Sequence, residues 1–147
     1  GDSFLSVDLP LVEASWRASG LPALMTVLRN EGRWDTSNAI LREGRVTLYD
    51  KTRPMERAAE MQWVDYGLSV MTADLVGTRI PAGAPADIAD LLRDLSIAGE
   101  LSGLEVSERF YEVGSSQGLT DLEAHLATVE GRVATRPTRP ATRDAET

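Results

Sequence analysis

The sequence predicts an α/β fold with a mixed, mostly parallel sheet, and two neighbouring segments carry this prediction. Leu9–Ser19 is amphipathic and is closed by Gly20, which is typical of a helix. The next segment, 23–28, is an almost continuous apolar run, which is typical of a strand buried on both faces. A helix that leads into a buried strand is the second half of a βαβ unit, so we expect the first strand of that unit to end at Asp2.

The remainder of the chain alternates short predicted strands and helices. Residues 38–41 and 45–49 flank Arg42-Glu43-Gly44, which predicts a hairpin with a glycine-containing turn. A further strand is predicted over 64–71, and Gly67 inside it permits a bulge or the close approach of a ligand. The other predicted elements are helices over 73–78, 88–98 and 116–129 and short strands over 104–106 and 110–111.

We expect one folded domain over residues 1–130 and a disordered tail over 131–147. The length and the apolar content of 42% suffice for a sizeable core. The tail is rich in Pro, Thr, Arg and Ala and is too poor in apolar residues to fold. No strand precedes Asp2 and there is no initiator Met, so we expect an N-terminally truncated chain, either a fragment or a gene whose start was placed too late.

Charge and composition exclude several kinds of partner. The net charge is −8, and because 131–147 carries +2, the remaining residues carry −10. This acidic body repels nucleic-acid backbones, so we expect no polynucleotide partner. No apolar run reaches the length of a membrane span and no signal peptide is visible, so we expect a cytoplasmic protein without a membrane partner. The absence of cysteine excludes disulfides and thiolate metal sites, as suits a reducing compartment.

Four local patterns occur in a fixed order along the chain. They are Gly1-Asp2, Trp34-Asp-Thr-Ser-Asn38, Tyr49-Asp-Lys51 with Asp65-Tyr-Gly67 behind it, and Phe110-Tyr-Glu-Val-Gly-Ser115. This ordered set resembles the sugar-phosphate nucleotidyltransferases, also called nucleoside-diphosphate-sugar pyrophosphorylases, from Gly1 to about Leu126. The resemblance implies a Rossmann-like three-layer sandwich whose glycine-rich, nucleotide-binding segment lies upstream of Asp2.

The resemblance also implies a magnesium site. In the family, the Gly-Asp carboxylate and a second carboxylate late in the chain hold one Mg²⁺, which bridges the nucleotide and sugar phosphates. Here these ligands would be Asp2, which is thereby also a catalytic residue, and Glu112, which stands where the family commonly has Asp. Mg²⁺ typically takes only one or two protein carboxylates, as this pair would provide.

The sugar-binding residues implied by the resemblance lie in the middle of the chain. Lys51, the only lysine, matches the lysine of the family's Glu-Lys-Pro motif and would contact the sugar 1-phosphate in a catalytic role. Asp50 replaces the glutamate of that motif, a ligand of sugar hydroxyls, and Thr52 replaces its proline. Gly67 matches a glycine whose backbone lies against the sugar, and Asn38 begins a strand that presents polar groups to it.

The implied reaction is in-line attack of a sugar 1-phosphate on the α-phosphorus of a nucleoside triphosphate (NTP), which releases pyrophosphate. The attacking phosphate is already anionic, so no general base is needed. We expect an NTP and a sugar 1-phosphate as partners, a truncated chain that is inactive alone, and a homo-oligomer as an open possibility.

Other interpretations stay open. The chain could be a non-catalytic relative that senses a sugar phosphate, and the sequence upstream of Gly1 would separate that case from an enzyme. It could also be a metal-dependent glycosyltransferase, although Asp2-Ser3-Phe4 breaks the Asp-x-Asp motif of that class. Taken singly, Asp2 could be a surface acid, Glu112 a cap before the last helix, and Lys51 an ordinary solvated lysine.

Overall fold

The computed structural model describes residues 2–83 and 85–134, with side chains through residue 129. In chain order the elements are β1 (Ser3–Phe4), α1 (Leu9–Ser19), β2 (Ala23–Arg29), β3 (Ala39–Arg42), β4 (Arg45–Tyr49), β5 (Trp63–Met71), α2 (Ala73–Arg79), α3 (Ile88–Ala98), β6 (Leu101–Val106), β7 (Tyr111–Glu112) and α4 (Ser116–Ala134).

The chain divides into two compact units. Leu5–Phe110 forms the larger one, which we call the barrel unit. Gly1–Phe4 and Tyr111–Thr147 form the other, which we call the terminal unit. The barrel unit holds five of the strands and three of the helices among the described residues, and the terminal unit holds β1, β7 and α4.

The prediction of a Rossmann-like three-layer sandwich with a mostly parallel sheet is wrong. Five strands of the barrel unit close into a mixed barrel in the order β2-β5-β3-β4-β6. Only β2 and β6 run parallel, and the other four pairings are antiparallel. The left-handed turn at Glu43 and Gly44 forces β3 and β4 to be antiparallel, and single residue pairs, Ala39 with Trp63 and Arg45 with Ser102, complete the ring.

The first strand also departs from the βαβ expectation. β1 does not lie beside β2 but pairs antiparallel with β7 in a separate two-stranded sheet. The helix and the buried strand predicted after it are confirmed, because α1 ends at Gly20 with a left-handed φ of 65° and β2 is buried at every residue except its last, Arg29.

Helix α3 closes one side of the barrel core, as the leucine spacing predicts. Asp87 caps its first turn by accepting the N–H of Ala89 at 2.8 Å, and Gly99 ends it with a φ of 74°. Leu92 and Leu95 are buried on the face that packs against the strands. Each fully buried leucine stabilises the fold by about 1.5–3 kcal/mol.

Strand β5 contains a bulge at Gly67, where the sequence permits one. The step from Met25 to Val27 on β2 is matched by a step from Ser69 to Asp65 on β5, so β5 holds two extra residues there. Gly67 lies in this bulge with a φ of 93°, a conformation that favours glycine. The bulge leaves Gly67 exposed at the surface of the barrel unit.

The terminal unit is built on a short ladder and an aromatic contact. Ser3 lies opposite Glu112, and Phe4 lies opposite Tyr111. The ring of His125 on α4 stacks on Tyr111 with the centroids 4.7 Å apart. His125, the single histidine of the chain, therefore serves to pack α4 against the ladder.

Helix α4 runs four residues beyond the predicted domain boundary at 130 and ends at Ala134. The remainder of the predicted tail, 135–147, lies outside the described residues. Within the described part of the chain, no helix is both long and apolar enough to cross a membrane.

Candidate functional site

Residues in or directly beside three strands of the barrel unit, β3, β4 and β5, meet in one hydrogen-bonded group, which we call the polar cluster: Asn38, Tyr49, Asp50, Asp65 and Gly67. Asp65 is its centre, because its carboxylate accepts the hydroxyl of Tyr49 at 3.2 Å and the N–H of Gly67 at 2.9 Å. The N–H of Asp65 donates to the side-chain oxygen of Asn38 at 3.0 Å. The N–H of Asp50 donates to the backbone oxygen of Asn38 at 2.9 Å.

The structure thus brings together three of the sequence-predicted sugar-binding residues, Asn38, Asp50 and Gly67. The fourth, Lys51, follows Asp50 directly and is exposed. Among the described residues, no hydrogen bond or ion pair engages its ammonium group. Lys51 therefore offers a cation to solvent beside the polar cluster.

Asp50 fixes the turn that carries this lysine. It is 5% exposed, and its Oδ1 accepts the N–H of Thr52 at 2.8 Å and the hydroxyl of Thr52 at 2.6 Å. Its Oδ2 pairs with Nε of Arg93 on α3 at 2.9 Å. The Thr52 hydroxyl lowers the pKa of Asp50 most strongly and the Arg93 charge lowers it further, against the opposing effect of burial. The carboxylate is therefore held ionised and immobile.

Helix α3 makes a second contact with this region that sequence reasoning missed. The hydroxyl of Ser96, itself buried, accepts the N–H of Tyr49 at 3.0 Å. Like Arg93, Ser96 is polar within the apolar helix segment, and this is the only signal that could have singled it out. Asp65 belongs to the Asp65-Tyr-Gly67 pattern, but the pattern gives no sign that its carboxylate connects the other residues.

Tyr49 is a neutral hydrogen-bond donor in this arrangement. Burial raises the pKa of its hydroxyl, and the carboxylates of Asp65, Asp87 and Asp50 raise it further, in that order. The hydroxyl consequently stays protonated at physiological pH and donates a hydrogen bond to Asp65. Tyr49 therefore contributes a neutral hydrogen-bond donor to the cluster.

The two predicted metal ligands both belong to the terminal unit. Asp2 directly precedes the pair formed by Ser3 and Glu112, so Asp2 and Glu112 are diagonal neighbours across the β1–β7 ladder. A regular ladder places such neighbours on opposite faces. The Asp2 carboxylate, however, lies over Gly114, where an added Cβ would sit only 3.0 Å from its Oδ2.

Two glycines that follow β7, Gly114 and Gly118, lie so close to neighbouring atoms that a side chain at either position would crowd them. A Cβ on Gly118 would lie 1.7 Å from the backbone oxygen of Glu112, so the first turn of α4 packs directly on β7. Asp2 and Glu112 are both exposed, and no described residue hydrogen-bonds or pairs with either carboxylate. Either carboxylate could serve singly as a ligand of a hard cation that takes most of its ligands from water and substrate, but the ladder register does not bring the two to one face.

No group of three or more histidine, aspartate or glutamate side chains among the described residues could hold a metal ion. Lys51 and the polar cluster belong to the barrel unit, and their predicted meeting with Asp2 stays a prediction.

Comparison with known proteins bears on the fold. No protein-family model and no curated protein matches the chain. Among solved structures, the chain is similar to a protein from Bacillus anthracis assigned as a glucose-1-phosphate thymidylyltransferase and crystallised with sucrose. The TM-score is 0.65 at 15% identity, over 84% of this chain and 51% of that one. The chain thus spans about half the length of that protein, and at this identity the similarity shows a shared fold.

Proposed function

We propose that this chain provides the sugar-phosphate side of a nucleotidyl-transfer site, in which a sugar 1-phosphate and an NTP give a nucleoside-diphosphate sugar and pyrophosphate. The polar cluster carries the proposal, because it joins Asn38, Asp50 and Gly67 in one network with Lys51 on the adjoining turn. The fold shared with a protein assigned as a glucose-1-phosphate thymidylyltransferase, crystallised with a sugar, supports the same chemistry.

Lys51 binds the phosphate of the sugar in this proposal. Its ammonium is the exposed cation beside the cluster, and the bonds of Asp50 to Thr52 and Arg93 hold its turn in place. Because the backbone of the turn is fixed in advance, only the Lys51 side chain has to be ordered when the substrate arrives. Electrostatic attraction to the dianionic phosphate then contributes to binding before and during the reaction.

The sugar ring lies against the bulge of β5 in this proposal. Gly67 is exposed and has no side chain, so a ring could approach its backbone closely. The Asn38 oxygen is used by Asp65, which leaves its amide protons for sugar hydroxyls. An aspartate has about four acceptor positions, and Asp50 uses three of them inside the protein, so one is left for a hydroxyl.

Asp2 and Glu112 would hold the Mg²⁺ that the proposed reaction needs, and the ion would neutralise phosphate charge when bound. The chain's own contribution is to keep both carboxylates exposed and unpaired on adjacent strands, with Gly114 leaving room beside Asp2. Because the regular ladder would separate the two side chains, Asp2 is the ligand that the structure supports more directly.

The bonds change in a single displacement. An oxygen of the sugar phosphate forms a bond to the α-phosphorus of the NTP, the bond between the α- and β-phosphates breaks, and pyrophosphate leaves with the electron pair. The sugar phosphate is anionic at neutral pH, so no side chain has to remove a proton. Positioning by the polar cluster and charge neutralisation by Lys51 are the two tasks left to the barrel unit.

The test is pyrophosphate release by any longer parent chain that contains these residues, with Mg²⁺, each NTP and a panel of hexose, heptose and amino-sugar 1-phosphates; the purified chain alone is expected to be inactive. We expect release that depends on both substrates and that falls at least about a hundredfold in Asp2→Asn, since a metal ligand is lost. Lys51→Ala should mainly raise the KM for the sugar phosphate. Arg17→Gln, which removes an exposed ion pair on α1, is the matched control and should leave rates unchanged. Near-wild-type rates for Asp2→Asn would refute the metal role, and binding of sugar phosphate without pyrophosphate release from the parent chain would indicate a sensor.

A further inference from the structure

A cleft of about 460 Å³ opens between two loops of the barrel unit, the loop after β2 and the loop after β4. We call it the loop cleft. Its volume falls within the roughly 300–1,000 Å³ that is typical of small-molecule sites. Its lining includes Asn30, Thr36, Ser37, Arg53, Met61 and Gln62.

The first wall of the loop cleft is organised by one buried amide. Asn30 is 1% exposed, its Oδ1 accepts the N–H of Trp34 at 2.9 Å, and its Nδ2 donates to the hydroxyl of Ser37 at 3.0 Å. Its backbone N–H donates to the backbone oxygen of Gln62 at 3.0 Å. These bonds tie the loop after β2 to the start of β5, so the wall is preformed.

The second wall is held by charges. Glu60 accepts from Arg42 at 2.6 Å and from Arg57 at 2.7 Å, which ties the loop after β4 to β3. The N–H of Arg53 donates to the backbone oxygen of Asp50 at 3.2 Å. The same loop therefore borders the polar cluster at one end and the loop cleft at the other.

Backbone strain gathers at this cleft. Among the described non-glycine residues, three adopt a left-handed backbone: Glu31, Glu43 and Arg53, with φ between 49° and 51°. Glu43 belongs to the β3–β4 turn, whereas Glu31 and Arg53 both line the loop cleft. Strained positions of this kind occur preferentially where a ligand is held.

The lining chemistry selects neutral, hydroxyl-rich ligands. Arg29 and Arg53 balance Glu31 and Asp35, so the cleft offers no net field to a multiply charged anion. It offers both donors and acceptors at its rim, which is what hydroxyl groups require because each hydroxyl donates one hydrogen bond and accepts two. Ala58 and Ala59 add small apolar side chains to the lining, against which the C–H face of a sugar ring can lie.

We propose that the loop cleft binds the hydroxylated part of a carbohydrate that extends beyond the phosphate-bearing ring. Ser37 lines the cleft and directly precedes Asn38 of the polar cluster, and Arg53 follows Lys51 by two positions. The substrate class is then a sugar 1-phosphate that carries a second ring or a hydroxylated side chain. This substrate assignment rests on the proposed function, whereas the binding of a neutral carbohydrate in the cleft does not.

The test is an amide NMR titration of the ¹⁵N-labelled chain with maltose, and with glycerol as a polyol without a ring. We expect saturable shifts for amides of residues 30–37 and 58–62, with a Kd of roughly 1–10 mM, as for a weak small-molecule complex. Thr36→Val removes a hydroxyl group and Arg53→Gln replaces the guanidinium, with its five donors, by an amide; each should weaken maltose binding roughly two- to tenfold. Ala59→Trp fills the cleft from an exposed position and should abolish the shifts, and Arg17→Gln should leave the Kd unchanged.

Two results would overturn the proposal. One is the absence of saturable shifts at the loop cleft, and the other is maltose binding that is unaffected in Ala59→Trp while the thermal midpoint of that variant shows a folded protein. Failure of pyrophosphate release with maltose binding intact would remove the nucleotidyl-transfer function and leave the carbohydrate site. Pyrophosphate release with equal KM for simple and extended sugar 1-phosphates would remove the substrate assignment.

Discussion

The ion pair between Arg93 and Asp50 predicts a measurable coupling between α3 and the turn that carries Lys51. Arg93→Met removes the guanidinium and keeps a side chain of similar length. The Asp50 side chain is 6% exposed and that of Arg93 is 50% exposed, so the pair lies between a buried and a surface ion pair. Hydrogen bonds to charged groups contribute about 1.5–3 kcal/mol when buried, and the exposure of Arg93 reduces this to about 1–2 kcal/mol.

The assay is denaturant unfolding of the wild type, Arg93→Met, Asp50→Asn and the double variant. Each single variant should lose about 1–2 kcal/mol of unfolding free energy, and the coupling energy of the cycle should be about 1 kcal/mol. Arg79→Met is the matched control, because Arg79 pairs with Glu100 at 3.1 Å and both side chains are well exposed. Its cost should stay below about 0.5 kcal/mol.

The pH dependence gives the same pair a second signature. The pKa of Asp50 is lower in the folded state than in the unfolded chain, where it is about 3.9. The stability that this carboxylate provides is therefore fully present above that pH and is lost as the pH falls through the lower folded pKa. In Arg93→Met the folded pKa of Asp50 should lie closer to its unfolded value, so less unfolding free energy should be lost as the pH falls. A coupling energy near zero, with parallel pH profiles for wild type and Arg93→Met, would refute the assignment.

Two further substitutions test the site geometry. Gly118→Ala should cost more than about 3 kcal/mol, or prevent folding, because its Cβ would meet the backbone oxygen of Glu112. The control is Gly77→Ala in α2, whose Cβ would meet nothing within 4 Å and which should stabilise the protein by about 0.5–1 kcal/mol. Thermal unfolding measures both, and equal effects would contradict the packing of α4 on β7. Tyr49→Phe should cost about 1 kcal/mol by removing the hydrogen bond to Asp65. Because the pKa of Tyr49 is raised, tyrosine absorbance at 295 nm should show ionisation well above pH 10 that is absent from Tyr49→Phe, and a high-pH titration curve that this substitution leaves unchanged would contradict the assignment.

Local patterns predicted most of the elements because their signals are local. The leucine spacing and Gly99 locate α3, the Glu43-Gly44 turn locates the β3–β4 hairpin, and Gly67 marks the bulge. Strand direction could not be obtained in this way. The apolar run of β2 looks the same whether its neighbours are parallel or antiparallel, and the direction is decided by pairing with β5 about 40 positions later in the chain.

In the candidate site, too, the residues with a local sequence signal could be predicted and those that depend on distant contacts could not. The motif order indicated Asn38, Asp50 and Gly67, and the structure brings these three together. Arg93 could not be identified, because a polar residue on a helix does not reveal which loop it meets, and its partner Asp50 lies 43 positions earlier. The sequence also offered no sign that Asp50 uses both carboxylate oxygens to fix its own turn.

The most direct test of the central claim is calorimetric titration of the chain with glucose 1-phosphate and, separately, with glucose. The proposal predicts that the phosphate ester binds more tightly than the free sugar, and that Lys51→Ala removes this advantage, roughly tenfold or about 1.4 kcal/mol, while Arg17→Gln preserves it. Equal affinity for the two ligands, or a phosphate preference that survives Lys51→Ala, would contradict a sugar-phosphate site at the polar cluster.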